Sequence, residues 1–248
     1  MFTLKNEPKH KQEIIEQGFT LYQQTLRISL PYSILGALLI FVPQLFFGVN
    51  LPLAQPIHLL SLPVNLLVGC WLAAFIFLSA LIFRLYCYVY QIKSNFIASV
   101  KHALFKIISL ILLMVAYSIV IVSGTLLLII PGIILTFSLM FSFILMLTEN
   151  QNVLQTLIRS HKIVWPHWWS SFLIMSLPAL FGVALYLIIF VSAVGLALFM
   201  GLAPSTLFLL VIIANIMLQT FFIPFVFSIA LVLLHDLRLR QTLLQPPW

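Results

Sequence analysis

The chain has 248 residues, 63% of them hydrophobic and only 7% charged, with a formal net charge of +7 and a mean hydropathy of +1.19. A soluble domain carries about 25% charged residues and must cover its surface with polar groups, so a soluble fold is excluded. The positive charge is spread along the chain rather than gathered on a polar domain, which excludes a nucleic-acid-binding reading.

In chain order, the opening MFTLKNEPKHKQEIIEQGF is polar for too long to be a cleaved secretory signal, so the first apolar run is expected to be an uncleaved anchor. Six apolar runs follow, at 28–49, 59–90, 104–130, 131–148, 169–200 and 204–234. They are continuous, without the ten-residue alternation of barrel strands, so the spans are helices. About twenty apolar residues cross the hydrocarbon. The fourth run is short, which leaves a re-entrant pair as the competing reading there, and the second, fifth and sixth are long enough to tilt or extend beyond the bilayer. The expected fold is an all-α polytopic membrane protein of six transmembrane helices arranged as three hairpins, each preceded by an interfacial amphipathic helix. One membrane domain covers 1–248: an interfacial segment at 1–27, a first hairpin at 28–90, an interfacial helix and second hairpin at 91–148, a third such unit at 149–240, and a tail at 241–248.

The twelve Lys and Arg residues set the threading. Lys5, Lys9, Lys11 and Arg27 precede the first run; Arg84, Lys93, Lys101 and Lys106 surround the junction of the second and third; Arg159 and Lys162 lie between the fourth and fifth; Arg238 and Arg240 follow the sixth. With six spans all twelve fall on one side, and the opposite loops GVNLPLAQPIH, TLLLIIPG and GLAPS hold none. The positive-inside rule then places both termini in the cytoplasm. The acids Glu7, Glu13, Glu16, Glu149 and Asp236 fall on the same side, so no carboxylate is expected in mid-membrane, where proton-coupled transporters need one. Arg84, near the end of the second span, is expected to snorkel to the headgroups.

Each odd-numbered span follows a segment with an apolar stripe at helical spacing: Ile14, Ile15, Phe19, Tyr22 and Leu26; Phe96, Ile97, Val100, Ala103 and Leu104; Val153, Leu154, Leu157, Ile158 and Val164. Polar residues stand opposite, among them Lys11, Glu16 and Gln23, then Ser99, Lys101 and Lys106, then Gln155, Arg159 and Lys162. Such helices lie in the membrane interface.

The stretch 148–172 concentrates polar groups. Trp165, Trp168 and Trp169 are expected as interface anchors. Pro166 breaks the helix between the in-plane segment and the fifth span, and Asn150 or Asn152 is expected to cap the in-plane helix. His161 and His167 are six apart, a poor spacing for two ligands on one face. No HExxH, GxSxG, GxGxxG or GxxxxGK[ST] pattern occurs, His58 stands alone in an outer loop, and His235-Asp236 reads as the polar end of the sixth span. Cys70 and Cys87 lack metal or disulfide spacing and read as small apolar residues. No catalytic residue, metal or cofactor is expected. Pro131 and Gly132 predict a sharp turn between the third and fourth spans.

The stretch IIPGIILTFSLMFSFILMLTENQNVLQTLIRSHKIVW resembles the signature stretch of the YciC-like bacterial inner-membrane proteins, itself similar to the membrane domain attached to some glycerophosphodiester phosphodiesterases. Pro131, Gly132, Ile133, Glu149, Ser160 and Trp165 carry the likeness, which runs from Ile129 to Phe172. The resemblance implies a multi-pass protein of the bacterial inner membrane and brings no assigned activity. The expected function is non-enzymatic: binding, organising or moving phospholipid at the cytoplasmic leaflet, with Arg27, Lys101, Lys106, Arg159 and Lys162 as lipid-phosphate ligands. The alternative is a membrane subunit of a transporter or larger assembly, whose partner would be another membrane protein or a second copy of the chain.

Overall fold

The computed structural model describes residues 8, 10–49, 64–149, 151–201 and 203–244. Lys5, Glu7, Lys9, His58, Asn150 and the end of the tail lie outside the described residues. Helix α1 spans Lys11–Val49, α2 Val64–Val89, α3 Phe96–Phe105, α4 Ile107–Leu127, α5 Ile129–Leu139, α6 Ser142–Thr148, α7 Val153–Val164, α8 Trp168–Met200 and α9 Pro204–Leu244, with a 3₁₀ turn at Trp165–His167 between α7 and α8. No strand occurs among the described residues. Six helical stretches are long and apolar enough to cross a membrane: Lys11–Phe41, Asn65–Val89, Ile107–Leu127, Ile129–Thr148, Val153–Met200 and Leu209–Thr242. Helix is the form these residues must take, because hydrocarbon offers backbone groups no partner beyond the segment itself.

The two longest helices frame the molecule. α1 has 39 residues and α9 has 41, about 60 Å each at 1.5 Å per residue, far beyond the hydrocarbon thickness of about 30 Å. They lie antiparallel: Gly18 meets Ile229, and Tyr22 meets Phe225 with ring centroids 5.6 Å apart. Of the stripe expected to face lipid, Ile14 is buried, Ile15, Tyr22 and Leu26 are half-buried and Phe19 is exposed, and the segment before the first span is not a separate helix but the start of α1. α1 continues without a break from Lys11, because α9, which itself runs on past His235 to Leu244, supplies an apolar surface for it along this whole length.

α2 packs on the other side of α1, and α8 on α9. The short α6 lies at the centre, with Ser142, Ile144, Leu145, Met146 and Leu147 all buried. Around it the core gathers Leu81 and Leu85 of α2 and the run Ile229–Leu234 of α9.

The reversal between α4 and α5 falls at Leu128, whose extended backbone (φ −165°, ψ 147°) joins the two helices directly. Pro131 and Gly132 lie one step later, inside the first turn of α5, where proline's missing N–H has no intrahelical partner to lose. Gly132 acts by size rather than by positive φ: a Cβ there would stand 3.0 Å from Thr125 Cα of α4.

The junctions are fixed by side chains. Asn152 and Gln155 form a capping box at the start of α7, with the Gln155 side-chain oxygen Oε1 accepting from the Asn152 N–H at 3.4 Å. Pro166 sits in the 3₁₀ turn where α7 passes into α8. Arg84 donates to the Ser94 carbonyl and hydroxyl in the link between α2 and α3. Ser99, read from the sequence as part of an outward polar face, is fully buried, as are Thr156 and Ser160 of α7. Small polar residues let membrane helices approach closely and satisfy their hydroxyls on nearby carbonyls: Ser160 donates to the Ser138 carbonyl of α5 at 2.9 Å.

Candidate functional site

Three helices, α1, α8 and α9, build two of the features with room for a ligand. One is an apolar groove of about 490 Å³. α1 contributes Phe19 and Tyr22, α8 contributes Phe181, Leu185 and Ile189, and α9 lines it from Ala214 to Phe225. Its shape follows from residue sizes. Gly18 lets α1 touch Ile229, where a Cβ would stand 2.9 Å from Ile229 Cα, and Gly182 lets α8 touch Phe222, where a Cβ would lie 2.6 Å from a ring carbon. The groove itself runs along α9 from Ala214 to Phe225, among Phe19, Tyr22, Phe181 and Phe221. Ala214 adds little bulk, so the gap stays open toward the helix flanks.

A second cavity, of about 160 Å³, opens between the same helices nearer the basic end. His10, Lys11, His167, Ser170, Asp236 and Arg240 supply its polar lining, and Ile14, Ile174, Leu233 and Leu237 its apolar wall. Asp236 is 2% exposed and holds Arg240 Nε at 2.7 Å. The spacing of that pair, i and i+4 on one helix, is readable in the sequence. A third recess of about 370 Å³ lies against Ile134 and the run Trp165–Ser170.

Polar contacts at this end tie four parts of the chain together. Glu149, just after α6, pairs with Arg159 of α7 at 3.0 Å and with Arg238 of α9 at 2.9 Å. His235 of α9 meets the Tyr90 hydroxyl, after α2, at 3.3 Å. His102 Nε2 lies 2.9 Å from the Leu147 carbonyl oxygen, with its ring stacked on Phe83. Of the basic residues, Arg159 and Arg238 are brought together through Glu149.

The residues expected to hold lipid phosphate are not brought into one site. Arg27, Lys101 and Lys162 are exposed on α1, α3 and α7, and no hydrogen bond or ion pair joins them among the described residues. Lys101 lies over the Phe105 ring, 5.8 Å from its centroid. Lys106 falls between α3 and α4, and Arg159 is engaged by Glu149. Of the tryptophans, Trp165 and Trp169 are 56% and 71% exposed. Trp168 instead turns inward: its Nε1 donates to the Ile134 carbonyl at 3.2 Å and its ring stacks on Phe172.

Cys70 and Cys87 are free, and Cys87 is buried. Among the described residues no group of three or more His, Cys, Asp or Glu is placed to hold a metal ion. What the fold and site define is an all-helical chain with six helices long and apolar enough to span a membrane, with an apolar groove and a polar cavity on one three-helix side. No family model, curated protein or solved structure matches the chain.

Proposed function

We propose that this is a non-enzymatic multi-pass protein of the bacterial inner membrane that binds and organises phospholipid at the cytoplasmic leaflet, with both termini in the cytoplasm, as its resemblance to the YciC-like proteins implies. The observation that carries the reading is the apolar groove between α1, α8 and α9, about 490 Å³ and lined from Phe19 and Tyr22 to Phe225. A groove of this composition bordering the bilayer fits an acyl chain, because leaving it empty forfeits dispersion contacts along its walls and water finds almost no polar partner there.

The hairpin arrangement belongs to the same proposal. α3 and α7 are its interfacial helices. Ile97, Leu104 and Phe105 of α3 are exposed beside Lys101, as are Leu154, Ile158 and Trp165 on the α7 side beside Lys162. These apolar rows lie along the acyl boundary while the lysines reach the headgroups.

Ala214→Trp fills the groove with an indole, and native mass spectrometry of the detergent-purified protein reads the outcome. Co-purified phospholipid should drop from the variant while its folded yield holds. Retention equal to wild type would sink the groove reading. Lys162→Gln tests the headgroup contact without touching the Glu149 ion pairs, and should lower retention of anionic lipid only.

A further inference from the structure

We propose that the cavity between the starts of α1 and α8 and the last turns of α9 is a binding site for a phosphate-bearing anion. It stands on different residues from the groove, so its failure and the groove's failure are separately readable. It also lies deeper toward the basic end: Asp236 is eleven residues beyond Phe225, about 16 Å along the α9 axis.

The lining sets the charge. Lys11 brings an ammonium group and Arg240 a guanidinium, against the single carboxylate Asp236. Lys11 and Arg240 against Asp236 give the site one net positive charge. Among the described residues no carboxylate pairs with Lys11. Asp236 engages Arg240 through Nε, a contact that fixes the plane of a group with five N–H donors. His167 lines the cavity, and its Nε2 is buried without a hydrogen-bond partner among the described residues. Interiors seldom leave such a nitrogen unsatisfied; a ligand oxygen reaching it would supply the acceptor or the donor it lacks. The Ser170 hydroxyl completes the ring.

The donor set selects the class of ligand. Lys11 on α1, His167 in the 3₁₀ turn, Ser170 on α8 and Arg240 on α9 come from separate parts of the chain. Phosphate presents several oxygens arranged tetrahedrally and can meet several such donors at once, whereas a halide or carboxylate leaves some unused. A protonated phosphate oxygen can also donate to Asp236. The volume of about 160 Å³ compares with roughly 30 Å³ for one water in the liquid. A phosphate group with a few waters fits; acyl chains do not, so a lipid would place only its headgroup here.

Isothermal titration calorimetry of the full chain in detergent, with inorganic phosphate against chloride at equal ionic strength, tests the site. Saturable binding of one phosphate is expected, weakened about tenfold by Lys11→Gln and again by His167→Gln. Retention of phosphatidic acid from mixed micelles, read by native mass spectrometry, separates the sources. A headgroup ligand predicts that the double variant loses phosphatidic acid; a soluble phosphate predicts that only the calorimetric signal changes. Lys11 is exposed in the first turn of α1, so Lys11→Gln keeps the fold even where His167→Gln does not. Phosphate and phosphatidic acid binding that are both absent, or both unchanged in Lys11→Gln, would overturn the proposal. Loss of groove lipid in Ala214→Trp with phosphate binding intact would show the two sites to be independent.

Discussion

The α4–α5 pair and the α1–α8–α9 side are both built from apolar helices, yet one is closed and the other keeps a groove. In the first, Gly132 brings α5 against Thr125 of α4, and Gly124 stands 3.4 Å in Cβ terms from Gly132 Cα, so two small residues face each other just after a direct reversal at Leu128. In the second, Gly18 meets Ile229 and Gly182 meets Phe222. Each glycine there faces a large side chain, and an apolar groove opens beside these contacts among Phe19, Tyr22, Phe181, Phe221 and Phe225. Small residues facing each other let membrane helices approach closely, whereas a glycine facing a bulky side chain fits that one group and leaves room for a groove nearby.

Substitutions that change these contacts sharpen the comparison. Gly132→Leu should have the largest effect. It forces the side chain into Thr125 at the closest approach of α4 and α5, and overpacking of a tight site costs about 1–3 kcal/mol and often more. Loss of the monodisperse peak in detergent size-exclusion, or a large fall in thermal midpoint, is the expected outcome. Gly18→Val should come next, levering α1 from Ile229 at a cost in the same range of about 1–3 kcal/mol. Because this contact borders the groove, co-purified lipid should change as well, a response that Gly132→Leu lacks in whatever fraction stays folded.

Glu149→Gln removes the one carboxylate shared by Arg159 and Arg238. Its side chain is 19% exposed, and the Arg159 arm is open to solvent, so the loss should be about 1–2 kcal/mol, seen as a lower melting midpoint that falls further with Arg238→Gln omitted than with it included. Ser160→Ala, which gives up the bond to the Ser138 carbonyl, should be smallest, about 0.6 kcal/mol; a midpoint shift larger than that of Glu149→Gln would mean the α5–α7 contact matters more than the charged clasp.

Much of the helical content was readable from the chain because length and hydropathy act locally. Runs such as 104–130 can only be helices in hydrocarbon, and Pro166 and the Asn152–Gln155 spacing mark where α7 begins and gives way to α8. Periodicity was less informative about partners. The row Ile14, Ile15, Phe19, Tyr22 and Leu26 has the same spacing whether it meets lipid or another helix, and in the structure Phe19 and Tyr22 of this row pack against Phe225 of α9. Ser99 and Ser160 look polar in a one-dimensional pattern, but in membrane helices their small size counts for more than their hydroxyls, and both are buried. Pro131-Gly132 signals a reversal nearby, though Leu128 makes it.

The sequence by itself determined that six helices are long and apolar enough to cross a membrane. That property follows from the transfer of each segment into hydrocarbon. Only the tertiary structure decided that Glu149 joins Arg159 to Arg238, that His10, Lys11, His167, Asp236 and Arg240 border one cavity, and that a groove persists among Phe19, Phe181 and Phe225. These features join residues more than two hundred positions apart, and side-chain volumes at the helix contacts set them; no local pattern encodes which helix will supply the opposing surface.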